Sequence, residues 1–160
     1  MNYLIREFIE SDAEPLSEML RESFHWFHKG DKGSWLWKSF DSQNLISNSN
    51  TQEILVAIEK QQKEDLIVGY ISSTSTIYGV AYVPTVAVRD SLKGRGIGKL
   101  LLEEKIQRLK EKGIRKVWLL VTSVNSSAIS FYLKNKFVIE GYLRDHTGPG
   151  YDEVLFSKFL

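Results

Sequence analysis

Residues 86–102 read VAVRDSLKGRGIGKLLL and predict a short buried strand, a glycine-rich turn and the first turns of a helix. Glycine lacks a Cβ atom, so its backbone adopts positive φ angles and approaches a ligand closely. The first N–H groups of the following helix have no acceptor within it and lie at the positive end of its dipole. Such a turn is suited to bind a pyrophosphate. The residues that would form this site are Lys93, Gly94, Arg95, Gly96, Ile97, Gly98 and Lys99.

Two well-known phosphate loops do not fit this spacing. A Walker loop requires a Ser or Thr after GxxxxGK, whereas Leu100 follows Lys99 here. A dinucleotide fingerprint requires GxGxxG, and Gly98 comes one residue too early for it. Taken alone, the pattern is equally consistent with an ordinary turn between a strand and a helix.

A second pattern follows a predicted buried strand at residues 117–121. Residues 125–137 read NSSAISFYLKNKF. Asn125, Ala128 and Tyr132 are spaced i, i+3 and i+7, so we expect them to share one face of a helix. An amide, a small side chain and a phenol in one row suit a ligand that lies along the helix. By itself, Tyr132 fits better as an ordinary aromatic residue of an amphipathic helix.

Together, the two patterns resemble the signatures of the GNAT superfamily of N-acetyltransferases. These are a coenzyme A loop, (Gln/Arg)-x-x-Gly-x-(Gly/Ala), and a later Asn-x-x-Ala-x-x-x-Tyr-x-x-x-Gly-Phe. The resemblance covers residues 80–160, and before them only the order of the elements matches. Two positions depart from it: Lys93 replaces Gln or Arg, and Lys136 replaces the glycine before Phe137. We expect Asn135 to take the left-handed conformation at that turn.

The resemblance implies an α/β structure with the GNAT (acyl-CoA N-acyltransferase) fold, in which helices flank a mixed, largely antiparallel central sheet. We expect residues 1–160 to form a single domain of this kind. The residues predict a first strand at 3–8, a helix that starts with a capping box from Ser11 to Glu14, and a hairpin of two apolar runs. The polar residues 44–52 predict a loop, and two strands end the chain.

The resemblance also implies acetyl-CoA as acyl donor and a primary amine, of a small molecule or a protein, as acceptor. Main-chain groups of Val86, Ala87 and Val88 would bind the pantetheine arm, and the 93–99 loop would bind the pyrophosphate. The row of Asn125, Ala128 and Tyr132 would lie along the cofactor, with the Asn125 amide hydrogen-bonded to it.

Tyr132 is the residue expected to protonate the leaving thiolate. A phenol has a reference pKa near 10 and a thiol a pKa of about 8.5, so the transfer costs about 2 kcal/mol. The base that deprotonates the amine is unassigned, because residues 79–88, where many family members have a glutamate, contain no carboxylate. Glu53, Asp145, His146 and water are the alternatives.

Two segments are candidates for contact with the acceptor. The first is rich in aromatic residues from Phe24 to Phe40, which form either a wall of the acceptor pocket or additional core. The second is the loop before the last strand, which is either a substrate contact or a solvated turn; its candidates are Arg144, Asp145, His146 and Tyr151. Leu119, Leu120 and Val121 occupy the strand in which enzymes that acetylate protein N-termini often have a glutamate, which disfavours that role.

Composition excludes several classes of function. The 160 residues are 42% hydrophobic and 26% charged, with a net charge of +1, so we expect a globular protein without broad affinity for nucleic acid or membranes. Cysteine is absent, which excludes disulfides, thiolate metal sites and a catalytic thiol. No third ligand accompanies His25 and His28, so no metal is expected. The N-terminal residues lack a signal sequence, which favours a cytoplasmic protein.

Two alternatives to an acetyltransferase remain at this level. The first is a coenzyme A-binding sensor of the same fold without turnover, which the missing carboxylate favours. The second is a nucleotide-binding α/β protein, which would bind ATP or NAD more tightly than acetyl-CoA. The resemblance also makes a homodimer an expectation, although no interface is evident in the sequence.

Overall fold

The computed structural model describes residues 3–26, 35–61 and 65–160 of the chain. The elements follow one another as β1 (Tyr3–Glu7), α1 (Ala13–Ser23), α2 (Trp35–Ser39), α3 (Ser42–Asn48), β2 (Glu53–Glu59), β3 (Leu66–Ser75), β4 (Val80–Tyr82), β5 (Val86–Val88), α4 (Ile97–Glu111), β6 (Lys116–Thr122), α5 (Ser126–Lys134), β7 (Val138–Leu143) and β8 (Glu153–Phe159). The strands pair in the order β1-β2-β3-β4-β6-β8-β7, and β5 pairs with β3. The predicted mixed α/β structure with a mostly antiparallel sheet is confirmed.

The chain divides into two compact units. The first contains Met1–Ser73 and Thr85–Lys105, and the second contains Thr74–Pro84 and Ile106–Leu160. In the first unit, β1, β2, β3 and β5 pair in antiparallel fashion. In the second, the end of β3 pairs with β4, β4 runs parallel to β6, and β8 pairs in antiparallel fashion with β6 and β7. That residues 1–160 act as one domain stays a prediction.

A close approach between α4 and β3 positions the glycine-rich loop of the first unit. A Cβ atom added at Gly69 would lie 2.8 Å from Leu101 Cδ1 and 3.1 Å from Ile97 Cγ2, and both of these side chains are buried. Because Gly69 has no side chain, the first turns of α4 pack directly on the sheet. The loop that precedes α4 is thereby held at the end of β5.

The start of α1 differs from the predicted capping box. Asp12 is the N-cap residue of α1, but its side chain does not cap that helix. Its carboxylate instead accepts a hydrogen bond from Ile9 N at 2.9 Å, across the 3-10 turn Glu10–Asp12 that precedes α1. The same carboxylate accepts two hydrogen bonds from the Arg6 guanidinium, at 2.6 and 2.8 Å. This paired geometry is among the stronger side-chain interactions, and it ties the end of β1 to the start of α1.

The predicted loop at residues 44–52 is wrong over its first half, since Ser42–Asn48 forms α3. Leu45 is its one fully buried residue, and its N–H donates to Asp41 O at 2.9 Å. One buried leucine among polar residues produces no apolar periodicity, so the sequence pattern contains no helical signal.

Candidate active site

The loop between β5 and α4 has the backbone geometry that its glycines predict. Gly94 has φ 79° and Gly96 has φ 85°, and no other atom lies within 4 Å of a Cβ built at either position. Leu100 N is the first helical donor to find an acceptor within this turn, Gly96 O, at 3.0 Å. The N–H groups of residues 97–99 precede it, so they have no acceptor in the helix. The glycines are therefore required for conformation, and the space beside them is open to a ligand.

The lysines of this loop pair with nearby carboxylates. Lys93 Nζ lies 2.6 Å from Asp90 Oδ1, and Lys99 Nζ lies 3.7 Å from Glu103 Oε1. All four side chains are at least one-third exposed to solvent. Exposed ion pairs contribute about 0–1 kcal/mol, so either lysine can exchange its carboxylate for a phosphate at little cost.

The backbone N–H and C=O groups of successive β5 residues point alternately towards β3 and away from it. Ser72 N donates to Thr85 O at 3.1 Å and Arg89 N donates to Val68 O at 2.9 Å, so residues 85, 87 and 89 direct their backbone groups at β3. The groups of Val86 and Val88 therefore point away from β3. The Ser23 hydroxyl already donates to Val88 O at 3.3 Å.

In the second unit, Asn125 is the N-cap of α5 and not a member of the helix. Its side-chain Oδ1 accepts a hydrogen bond from Ala128 N at 3.1 Å. The Asn125 oxygen therefore caps α5. The sequence predicted only a contact between the Asn125 amide and the cofactor, not this structural function. Its side-chain NH₂ group is the part suited to donate to a ligand.

Tyr132 lies in an aromatic cluster, and its side chain is 7% exposed. Its ring centroid lies 5.1 Å from that of Phe131, 5.4 Å from Phe137 and 5.9 Å from Phe156. Burial raises the pKa of the Tyr132 phenol well above its usual value, and Tyr82 adds to the rise. The phenol is thus protonated throughout the neutral range, as a proton donor must be. The same rise makes complete transfer of the proton to a thiolate more costly than the reference pKa values suggest.

The turn after α5 uses Lys136 and not Asn135. Lys136 has φ 64°, whereas Asn135 has φ −90°. The Asn135 amide instead donates to Phe131 O at 2.8 Å, and its carbonyl accepts from Lys158 Nζ at 3.0 Å. The expectation for Asn135 is therefore wrong, because these contacts hold Asn135 at a negative φ. The exposed Lys136 adopts the left-handed conformation instead.

Replacing Lys136 by glycine is expected to raise the free energy of unfolding by about 0.5–1 kcal/mol. Relief of a left-handed residue is worth about 1–2 kcal/mol, and the extra entropy of glycine in the unfolded chain offsets part of that gain. Urea denaturation measures the change. Lys134→Gly, at the exposed last residue of α5, is the control and should lower stability; a loss of stability in both variants would contradict the assignment of strain to Lys136.

Two of the alternatives for the base have structural partners. Glu53 Oε1 lies 3.4 Å from Nζ of Lys105, whose side chain is fully buried. Asp145 has φ 49°, and its Oδ1 accepts from Gly150 N at 2.6 Å, which closes the loop between β7 and β8. His146 is exposed in the same loop.

Sequence analysis missed one carboxylate, that of Glu153 at the start of β8, which is 5% exposed. Glu153 Oε1 accepts a hydrogen bond from the Thr122 hydroxyl at 3.1 Å, across the pair of β6 and β8. Burial raises the pKa of Glu153 above its usual value, and the Thr122 hydrogen bond offsets part of the rise. The only sequence signal was a charged residue at the edge of an apolar strand, which is common on surfaces.

Part of the aromatic segment is additional core of the first unit. The ring centroids of Phe24 and Phe40 lie 5.2 Å apart, and Phe40 is buried. Arg21 pairs with Asp41 and lies over the Trp37 ring. Residues 27–34 lie outside the described residues, so the prediction of an acceptor wall there stays a prediction.

Across residues 3–26, 35–61 and 65–160, no group of three or more His, Asp or Glu side chains could hold a metal ion. No helix in the same ranges is long and apolar enough to cross a membrane.

Comparison with known proteins gives one consistent family. The model of the acetyltransferase (GNAT) family matches residues 5–137. A spermidine N(1)-acetyltransferase of Thermoplasma acidophilum is 28% identical over 154 residues, which cover 88% of this chain and 91% of that protein. The crystal structure of PaiA N-acetyltransferase from Thermoplasma acidophilum in complex with coenzyme A matches with a TM-score of 0.79, 27% identity and full coverage of both chains. A GNAT acetyltransferase from Staphylococcus aureus matches with a TM-score of 0.80 and 23% identity over 99% of each chain.

Proposed function

Because this chain belongs to the GNAT family of acetyltransferases, and is thus an acyltransferase that uses acetyl-CoA, we propose that it transfers the acetyl group directly to a primary amine of a small polyamine. The relative that acetylates spermidine supports this class of acceptor. The absence of cysteine supports transfer without an acyl-thiol intermediate on the protein.

The observation that carries the proposal is the loop before α4. Two glycines with left-handed φ angles and open space beside them lead into α4, whose first N–H groups have no acceptor within the helix. Charge-assisted hydrogen bonds contribute about 1.5–3 kcal/mol each, so a few such amides can dominate the affinity for a pyrophosphate. In this proposal, residues 94–99 bind the pyrophosphate of acetyl-CoA, and Lys93 adds a positive charge.

The remaining site residues are assigned by the same proposal. Main-chain groups of Val86 and Val88 bind the pantetheine arm, because they point away from β3, whereas those of Ala87 face β3. Asn125 donates through its NH₂ group, and the small Ala128 allows the cofactor to approach α5. Tyr132 acts as the proton donor to the leaving thiolate.

Calorimetric titration is expected to show micromolar binding of acetyl-CoA, with ATP and NAD much weaker, and Gly96→Ala is expected to weaken acetyl-CoA binding about 10-fold. The free loop of that variant would relax away from the left-handed conformation and would have to regain it on binding, at about 1–2 kcal/mol. Gly113→Ala is the matched control, because Gly113 has φ 75° and equally open space after α4. Equal affinity in both variants would remove the loop from the cofactor site.

Acetyl transfer itself is tested by release of coenzyme A with a panel of amines: spermidine, putrescine, butylamine and Nα-acetyl-lysine amide. Preference for the polyamines supports the proposed acceptor. Faster reaction with the lysine amide would point to a protein acceptor. Tight binding of acetyl-CoA without amine-dependent release would instead support the coenzyme A sensor.

A further inference from the structure

We propose that Glu153 is the general base of the reaction: its carboxylate binds the acceptor ammonium and takes its proton. This inference rests on the proposed acetyl transfer to an amine. Such a base matters because an alkylamine with a pKa of about 10.4 is almost entirely protonated at neutral pH and cannot attack a thioester in that form.

The strand register places Glu153 on the face of the sheet opposite α5. Thr122 pairs with Glu153 and Leu120 with Leu155, and residues directly opposite each other share a face. Phe156, three residues along β8, lies on the other face, where its ring contacts Tyr132 of α5. Glu153 of β8 thus places a carboxylate beside the end of β6. Residues 119–121 of β6 contain no carboxylate themselves.

Four half-buried side chains extend this face from Glu153. Tyr82 of β4 stacks on Trp118 of β6 with ring centroids 4.2 Å apart, and Leu120 and Leu155 continue the same face toward Glu153. Aromatic and aliphatic surface of this kind suits the methylene chain of an alkylamine, and the carboxylate suits its ammonium group.

Glu153 is buried without a lysine or arginine partner among the described residues. The groups that favour its charged form are the Thr122 hydroxyl, His146 and the Thr147 hydroxyl, and none is a lysine or arginine. Thr147 Oγ1 is itself buried and has no hydrogen-bond partner of good geometry. Burying a carboxylate away from lysine and arginine is costly, and a ligand that brings a positive charge would offset that cost.

The neighbouring carboxylates are arranged differently. Asp152 accepts hydrogen bonds from Tyr142 OH at 2.6 Å and from Asp145 N at 2.9 Å, and these bonds lower its pKa. Asp152 therefore stays ionised and holds the loop. Glu153 has the opposite environment, because burial raises its pKa towards the range in which a base accepts and releases protons readily.

The proposed step is balanced in atoms and charge. The ammonium transfers one proton to Glu153, and the neutral amine attacks the thioester carbonyl carbon, so that a C–N bond forms. The C–S bond then breaks, the nitrogen loses a second proton, and the sulfur gains one through Tyr132. Glu153 releases its proton to solvent. The net products are the acetamide, coenzyme A as a free thiol and one proton.

The pH dependence follows from the groups that face Glu153. These are Thr122 of β6, Tyr82 of β4, and His146 and Thr147 of the loop between β7 and β8. Burial raises the pKa of the Tyr82 phenol, and His146 and the two hydroxyls favour the charged carboxylate of Glu153. As pH falls through the pKa of Glu153, the base is protonated and kcat/KM for the amine should fall.

The test is Glu153→Gln, which keeps the size of the side chain and its ability to accept from Thr122. With the panel amine that the wild type acetylates fastest, kcat/KM at pH 7.5 is expected to fall about 100-fold, within the usual range for a general base. The acidic limb of the pH profile should disappear, and the rate should continue to rise about 10-fold per pH unit towards the pKa of the amine. Affinity for acetyl-CoA should not change.

Glu140→Gln is the control, because Glu140 is a carboxylate on the neighbouring β7 whose partner is Lys116 on the surface. Its activity should equal that of the wild type. The melting temperature of Glu153→Gln separates catalysis from structure. The folded-state pKa of Glu153 is raised, so its charge opposes folding at pH 7.5, and its removal should leave Tm unchanged or higher. A lower Tm with an unchanged pH profile would assign Glu153 a structural role and overturn the inference.

The activity of the wild type distinguishes failure of the proposed acetyl transfer from failure of the inference about Glu153. If the wild type acetylates an amine and the Glu153→Gln variant is equally active, the inference about Glu153 is overturned and the proposed function stands. A wild-type protein that binds acetyl-CoA but acetylates no amine overturns the proposed function, and the inference falls with it. Loss of activity and of the acidic limb in Glu153→Gln, with Glu140→Gln unchanged, supports both.

Discussion

Replacing Lys105 by alanine is expected to lower the free energy of unfolding by about 3–5 kcal/mol, the usual cost of breaking a buried ion pair by removing one partner. The Lys105 side chain has no exposed surface, and its Nζ donates to the main-chain Glu53 O at 2.9 Å. The same ammonium lies 3.4 Å from the Glu53 carboxylate, which is 20% exposed. Alanine would remove both contacts from the start of β2 and leave a cavity beneath α4.

Denaturant unfolding measures this effect, with Lys110→Ala as the control. Lys110 is an exposed lysine of the same helix, so its replacement should change stability by no more than about 0.5 kcal/mol. Lys105→Met is a second variant that fills most of the space without the charge, and it should recover part of the loss. Equal stability of the Lys105→Ala and Lys110→Ala proteins would show that the buried ammonium contributes nothing to the fold.

Replacing Tyr132 by phenylalanine is expected to lower turnover about 10-fold or more, with acetyl-CoA affinity largely intact. The ring would keep its contacts with Phe137 and Phe156, so the variant loses only the hydroxyl. General acids contribute about 10²- to 10⁴-fold, and the raised pKa of this phenol places the expected effect towards the lower end. Steady-state release of coenzyme A at saturating acetyl-CoA and amine measures the change.

The pH profile provides a second check on Tyr132. Because its pKa is raised, the phenol stays protonated at higher pH than an ordinary tyrosine, so kcat should show no basic limb from Tyr132 below about pH 10. Tyr78→Phe, at an exposed turn, is the control and should turn over as the wild type does. Unchanged turnover in Tyr132→Phe would assign the residue to the core alone.

Features encoded by neighbouring residues were predicted well. The turn at Gly94 and Gly96 depends on the absence of a Cβ atom at those two positions, which is visible in any sequence. The helix after β6 was predicted from the spacing of Ala128 and Tyr132, although Asn125 proved to be its N-cap and not a member of the helix. The predicted strand at residues 117–121 agrees with β6 (Lys116–Thr122) to within one residue at each end, inside the usual uncertainty of an element end.

Features that depend on weak or competing local signals were predicted poorly. Residues 44–52 lack an apolar stripe, and α3 is held by one buried leucine. At the end of α5, the intrinsic preference of Asn135 for a left-handed conformation loses to its hydrogen bonds with Phe131 and Lys158, and Lys136 takes the strain. A propensity expresses one residue's preference, whereas these contacts involve residues from other parts of the fold.

The sequence by itself determined the family, the left-handed turn at Gly94 and Gly96 and the phenol on α5, because each depends on residues within one short segment. Only the tertiary structure decided which carboxylates lie beside a cation and which is buried beside a hydroxyl. Glu53 meets Lys105, and Glu153 meets Thr122, through strand register and helix packing between residues far apart in the chain. Burial and partners set the pKa of a carboxylate, and both are properties of the folded chain.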